Sequence, residues 1–145
     1  MFKFVHHVDY AVRNRDEMVD YMERNFGMKP DKLLEDKGGR WKEAHYHVGP
    51  TLIRFRQPGP GHKYVQYLEK HGPGVNHVAW GVGDIALVAQ ELRAKGITQV
   101  GRAGLGVEGE QGFHGSTLTG YTFDIINIDP EGSQGVFFQL AGEPE

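Results

Sequence analysis

The sequence predicts an α+β protein built from two βαβββ modules in tandem, and three observations carry that expectation. First, His7-Val8-x-Tyr10-Ala11-Val12 returns as His77-Val78-x-Trp80-Gly81-Val82, two strand-like segments in equivalent places. Second, each copy leads into a helical face, Met18, Val19, Met22 and Phe26 before Gly27, and Ile85, Val88, Ala89 and Leu92 before Gly96. Third, each half continues in short strand-like runs broken by glycine, 41–48 and 51–57 in the first, 121–128 and 135–140 in the second.

The elements follow in order. The modules span about 1–57 and 75–145 of a single domain. Between them PGPGHKYVQYLEKHGPG, residues 58–74, reads as a linker with turn-forming ends and a centre, 64–70, long enough for two helical turns. Residues 101–120 hold seven glycines and read as a long irregular loop, of the kind that is usually functional or mobile. Within it Gly104-x-Gly106-x-x-Gly109 spells a dinucleotide fingerprint, but no helix pattern follows to receive a pyrophosphate, so no nucleotide site is expected.

Composition narrows the function. A chain of 145 residues can remove roughly 70% of its unfolded surface from water, so it needs no disulfide, metal or partner merely to fold. Sixteen Lys and Arg against nineteen Asp and Glu, without a dense basic block, lack the electrostatic footprint of a nucleic-acid binder. The absence of cysteine excludes disulfide scaffolds, thiolate zinc, iron–sulfur clusters and cysteine nucleophiles, so any metal must be held by N and O ligands. No apolar run approaches the ~20 residues of a membrane span, and MFKFVHHVDYAV carries His and Asp where a signal peptide needs an apolar stretch, so a cytoplasmic protein is expected.

Eight histidines suggest a site. Strand alternation sends His7, Asp9 and Ala11 to one face and Val8, Tyr10 and Val12 to the other. The apolar face should meet the helix, leaving the histidine face toward whatever the sheet encloses, and the same parity applies to His77, Ala79 and Gly81. Two histidines in equivalent repeat positions, beside small residues that leave room, point to a shared metal or catalytic site. Residues 41–48 put Glu43, His45 and His47 on one face and Ala44, Tyr46 and Val48 on the other; the polar set suits a site wall or a solvated strand face.

HHVDYAV, KEAHYHVGPTLIRFRQP, YLEKHGPGVNHVAWGV and GVFFQLAG resemble the vicinal-oxygen-chelate superfamily, and most of all its methylmalonyl-CoA epimerase branch; glyoxalase I and extradiol dioxygenases are relatives. The resemblance spans almost the whole chain. It implies two βαβββ modules whose mixed sheets curl into a half-open barrel around a divalent metal such as Co, Mn, Ni, Zn or Fe, commonly in a homodimer. Carried over by position, the metal ligands fall on His7, His77 and Gln139. The remaining ligand position, usually Glu or Gln, falls on Arg54, and there the pattern breaks. A guanidinium has five donors, no acceptor and a permanent charge, so metal affinity should fall or be lost.

The resemblance also places an epimerase's catalytic glutamate on Glu43. Such a carboxylate removes a proton α to a ketone or thioester if burial raises its pKa and a cation opposite stabilises the enolate. Arg54 can supply that charge in place of a metal, or it can turn outward or pair with a carboxylate. His45 or His47 is available as a second acid or base. The implied function is a small-molecule isomerase or epimerase acting on a carbonyl or acyl-thioester substrate. A non-haem iron dioxygenase and a metal-free, drug-sequestering binding protein are the alternatives, the first requiring Glu43 or Asp9 to join the two histidines.

Overall fold

In the computed structural model, which describes residues 1–100, 114–118 and 121–142 and the side chains of 1–99 and 125–142, the chain divides into two compact units. One is His7–Asn76; the other combines Met1–His6 with His77–Glu145. The boundaries fall immediately before the two repeated histidines, inside strands β1 (Phe4–Ala11) and β5 (Gly74–Gly81).

The unit His7–Asn76 continues from β1 through α1 (Arg15–Phe26), β2 (Lys32–Glu35), β3 (Trp41–Val48), β4 (Thr51–Pro58) and α2 (Tyr64–His71), with sheet order β2-β3-β4-β1. Helix α1 begins where the Asn14 side chain accepts the Glu17 N–H and ends at Gly27, whose φ of 65° a side chain would disfavour. Its Met18, Val19 and Met22 pack on Tyr10, Val12, Ala44, Tyr46, Ile53 and Phe55, so the apolar strand face meets the helix as alternation requires. Strand β1 runs parallel to β4 with Asp9 opposite Arg54, and β3 runs antiparallel to β4 with His45 opposite Arg54 and Glu43 opposite Arg56. These five side chains therefore share the face turned away from α1.

The segment expected only to connect the modules does more. Helix α2 buries Tyr64 and Leu68 against Ala11, covering part of the polar strand face. The first turn of α2 has no side-chain cap at Lys63; instead His62 Nδ1 accepts the Tyr64 N–H at 3.1 Å.

The second unit contains α3 (Ile85–Ala94), β6 (Gln99–Val100), β7 (His114–Leu118), β8 (Tyr121–Ile128) and β9 (Phe138–Ala141). Its sheet order is β5-β9-β8-β6, with β7 also on β8. Asp84 caps α3 by accepting from Ala86 and Leu87, and the helix lays Ile85, Ala89 and Leu92 on Val82, Ile126 and Leu140. Each of the Ile, Leu and Val side chains among these contributes about 1.5–3 kcal/mol on burial. Gly81 is required by close approach, since a Cβ there would lie 2.5 Å from the Phe4 ring.

Strand β7 corrects part of the expected loop over 101–120, and β6 ends just before it. Both pair antiparallel with β8, Gln99 with Ile128 and His114 with Ile125, so the edge strand that β2 forms on β3 is here split into two pieces along one partner. Gly104, Gly106 and Gly109 lie outside the described residues. Strand β9 begins at Phe138, later than expected, because Gln134 and Gly135 take positive φ after a 3-10 turn at Pro130–Ser133. Both modules are βαβββ units of mixed sheet, and the protein is α+β. No described helix is long and apolar enough to cross a membrane.

Candidate active site

The polar face of the unit His7–Asn76 carries a buried charged cluster. Arg54, 4% exposed, donates from Nε and Nη2 to the two oxygens of Asp9, each at 2.5 Å. Tyr64 reaches the same carboxylate from α2, its hydroxyl 2.5 Å from Asp9 Oδ2. Arg54 Nη1 is shielded from solvent and has no hydrogen-bond partner among the described residues. A shielded donor without an acceptor costs about 1–3 kcal/mol.

Beside this pair, Glu43 is fully buried. It accepts a hydrogen bond from Arg56 Nε at 2.6 Å, forms an ion pair with Arg56 Nη2, and lies 2.7 Å from His45 Nε2. An ionised carboxylate only accepts, so the shared proton sits on Nε2. Arg56 lies 5.8 Å from the Trp41 ring centroid and 5.4 Å from that of Tyr64. Arg15, buried at the start of α1, donates to the backbone carbonyls of Glu43 and Leu34, tying β3 and β2 to the helix.

The electrostatics follow from this geometry. Burial acts to raise the Glu43 pKa, but the His45 hydrogen bond and the charges of Arg54, Arg56 and His45 outweigh it, and the carboxyl is held below the ordinary glutamate value. The expected condition, a pKa raised by burial, is therefore not met. The Arg54 guanidinium would lose charge by desolvation alone; Asp9 more than reverses this, raising its pKa. Burial, then the Asp9 charge, push the Tyr64 hydroxyl well above its ordinary value. His62 falls to about 4 through burial and the nearby Arg56 and Lys63.

Of the expected residues, Glu43, His45 and Arg54 come together, and Arg54 adopts the carboxylate-paired alternative, with Asp9 as its partner. His47 does not join them: it bonds Asp31 through its backbone N–H and Nδ1, with its side chain 38% exposed. His7 is buried on the same strand face as Asp9. In the other unit His77 is 8% exposed and meets Phe137 edge-on at 5.7 Å, and Gln139, opposite Ala79, donates from Nε2 to Asn127 Oδ1 at 3.0 Å. Position 139 is thus the repeat counterpart of position 54, and Ala79 that of Asp9.

These residues do not fit a divalent cation of the usual kind. A guanidinium fixed by Asp9 stands at position 54, where the resemblance expects a ligand, and the nearby carboxylates Asp9 and Glu43 are both committed to guanidinium groups. Among the described residues no group of three or more His, Asp or Glu is arranged to hold a metal. An iron centre that borrowed Asp9 or Glu43 would have to break those pairs.

Asp9 was legible as a member of the histidine face but not as a clamp, and Arg56 follows Arg54 at the same strand parity. Tyr64 carried no local signal, because its role depends on how α2 docks. Elsewhere, a cavity of about 700 Å³ in the second unit is lined largely by apolar side chains including Phe2, Leu92, Ile97, Ile128 and Phe138, and holds none of the buried charged groups described above.

Solved structures with this fold include a methylmalonyl-CoA epimerase at 24% identity and TM-score 0.77, over 100% of this chain and 98% of that one. The Mycobacterium tuberculosis methylmalonyl-CoA epimerase is 22% identical with TM-score 0.75, over 97% of this chain and 88% of that one. A Streptomyces coelicolor methylmalonyl-CoA epimerase variant in complex with 2-nitronate-propionyl-CoA is 19% identical with TM-score 0.76, over 99% and 96%. At these identities the likeness is one of fold. No curated protein matches the chain in sequence. Residues 6–114 match the Glyoxalase/Bleomycin resistance protein/Dioxygenase superfamily, and with most of its length so covered the chain belongs to that superfamily.

Proposed function

We propose that the protein is an isomerase or epimerase-type enzyme that moves a proton α to a carbonyl or thioester, with a guanidinium in the place of a metal. One observation carries this reading: a buried, ionised Glu43 bonded to His45 stands in the same cluster as a buried Arg54 with an uncommitted N–H. In the proposed step the α C–H bond breaks, its proton passes to Glu43, and its electron pair moves onto the carbonyl oxygen as an enolate. Arg54 Nη1 donates to that oxygen, a charge-assisted contact strongest when the charge is fully developed. Return of the proton from Glu43 to the same or an adjacent carbon completes an isomerisation. The low pKa makes Glu43 a weak base, and the same cationic surroundings favour the enolate, which offsets part of that weakness.

Inversion at the α-carbon needs an acid on the opposite face. His45 shares the proton of Glu43 and forms one acid–base unit with it, and His47 is engaged with Asp31, so neither expected histidine is independent. An acyl-CoA thioester is the substrate class to try first, because the protein of the same fold from Streptomyces coelicolor was solved with a propionyl-CoA derivative. The pairing of every carboxylate in the cluster with a cation favours a second reading, a metal-free binding protein.

The test is incubation in D₂O with methylmalonyl-CoA and a panel of acyl-CoA and 2-keto compounds, followed by NMR of the α position. Catalysed loss of an α-proton supports the enzyme. Binding without exchange across the panel supports the binder.

A further inference from the structure

We propose that Tyr64 of α2 is a positioning residue: through its hydroxyl on Asp9 it fixes the carboxylate that clamps Arg54, and so fixes the direction of the remaining donor, Nη1. This rests on the reading that Arg54 receives the substrate oxygen. Asp9 engages the guanidinium through Nε and Nη2, which defines the plane of the fork in a buried pair. Tyr64 adds a further point of attachment from α2. Its hydroxyl holds Asp9 Oδ2 at 2.5 Å, its ring is buried against Ala11 and Leu68, and the ring also lies under Arg56, the guanidinium bound to Glu43. One side chain from α2 thus touches both ion pairs, Asp9–Arg54 directly through its hydroxyl and Glu43–Arg56 through its ring.

The placement of Tyr64 is itself built. The residue begins α2, where its own backbone N–H donates to His62 Nδ1, and the His62 ring meets the Tyr64 ring edge-on at 5.0 Å. The segment between the modules therefore does more than join them: it orients the group that meets developing negative charge. Because Nη1 matters most when the enolate forms, misdirecting it should reduce turnover more than binding.

The experiment is a double-mutant cycle of Tyr64→Phe and Arg54→Lys, read as kcat and KM for α-proton exchange, with thermal unfolding as the fold control. In the native background Tyr64→Phe should lower kcat about tenfold and move KM less than twofold; in the Arg54→Lys background it should change kcat less than twofold. An equal loss in both backgrounds overturns the proposal, since a merely structural tyrosine would cost the same in each.

A second readout needs no turnover. In ¹⁵N-arginine-labelled protein the Arg54 guanidinium, assigned by its disappearance in Arg54→Lys, should give separate slowly exchanging Nη signals that collapse in Tyr64→Phe and in Asp9→Asn. Signals unchanged in Tyr64→Phe overturn the positioning role. A lack of exchange with every compound tried, beside collapse of those signals, would refute the enzymatic reading while leaving the role of Tyr64 standing.

Discussion

Asp9 faces Arg54 across the parallel pair of β1 and β4, and the two are joined by a two-point clamp in a site from which water is excluded. Neither charge is tolerable there without the other. Removing one partner of such a pair leaves an uncompensated buried charge, whereas apolar replacement of both is often close to neutral. Arg54→Met alone should therefore cost about 3–5 kcal/mol, and so should Asp9→Leu. The double variant should recover most of that loss, in urea unfolding at pH 7. Additive losses would mean that the pair is not coupled.

Glu43→Gln keeps the volume but removes a proton acceptor and one half of the Arg56 ion pair. We expect α-proton exchange to fall at least about 100-fold, the usual scale for loss of a general base. Stability should fall by about 2 kcal/mol, within the range for a hydrogen bond to a charged group. Near-normal exchange in this variant would remove Glu43 from the mechanism.

How much of this was legible depended on the range of the interaction. The helix ends at Gly27 and near Gly96, the strand at residues 41–48 and the sharing of a face by His7 and Asp9 follow from local chemistry and strand parity, and all are present. Strand β2 carries only Lys32-Leu33-Leu34-Glu35, too short to show alternation, and it is defined by its pairing with β3. The Asp9–Arg54 clamp joins residues 45 positions apart and the Tyr64–Asp9 contact residues 55 apart. No window on the sequence contains both ends of either. The pKa of Glu43 lies on the opposite side from the expectation because burial is readable from strand parity, whereas the His45 hydrogen bond that lowers it most, with the charges of Arg54 and Arg56 behind it, depends on how the side chains converge.

Acid should loosen α2. The folded-state pKa of His62 is about 4 against 6.5 for an ordinary histidine, so between those values the unfolded chain binds more protons than the folded one. Stability from this group is fully present above pH 6.5 and is lost as pH falls toward 4. Glu43, also depressed, adds a loss in the same direction below the ordinary glutamate range. His62→Asn keeps an acceptor for the Tyr64 N–H but cannot titrate, so the slope of melting temperature against pH between 6.5 and 4 should flatten. An unchanged slope would assign the acid sensitivity elsewhere.

Arg54→Glu inverts the charge at the position where the superfamily resemblance expects a metal ligand. In the native protein the cluster is balanced, Asp9 and Glu43 against Arg54 and Arg56, so it offers a divalent cation no net negative charge; the Arg54 guanidinium by itself would repel one at about 4 Å by several kcal/mol at an effective dielectric of about 20, and Asp9, already committed to it, offsets only that repulsion. The native protein should therefore show no change in melting temperature with Co(II) or Mn(II). The substitution removes that repulsion and faces the new carboxylate with Asp9, two acids that cannot both ionise cheaply without a cation between them. The variant should be destabilised without metal and rescued by it, because a ligand that binds only the folded state stabilises it by about 2.7 kcal/mol at a hundredfold excess over Kd, roughly 5–10 °C for a chain of this size. Calorimetry should show the matching gain in affinity. If instead the native protein binds the metal tightly and Arg54→Glu binds it no better, the guanidinium does not stand in for the ion, and the enolate would have to be held by the metal.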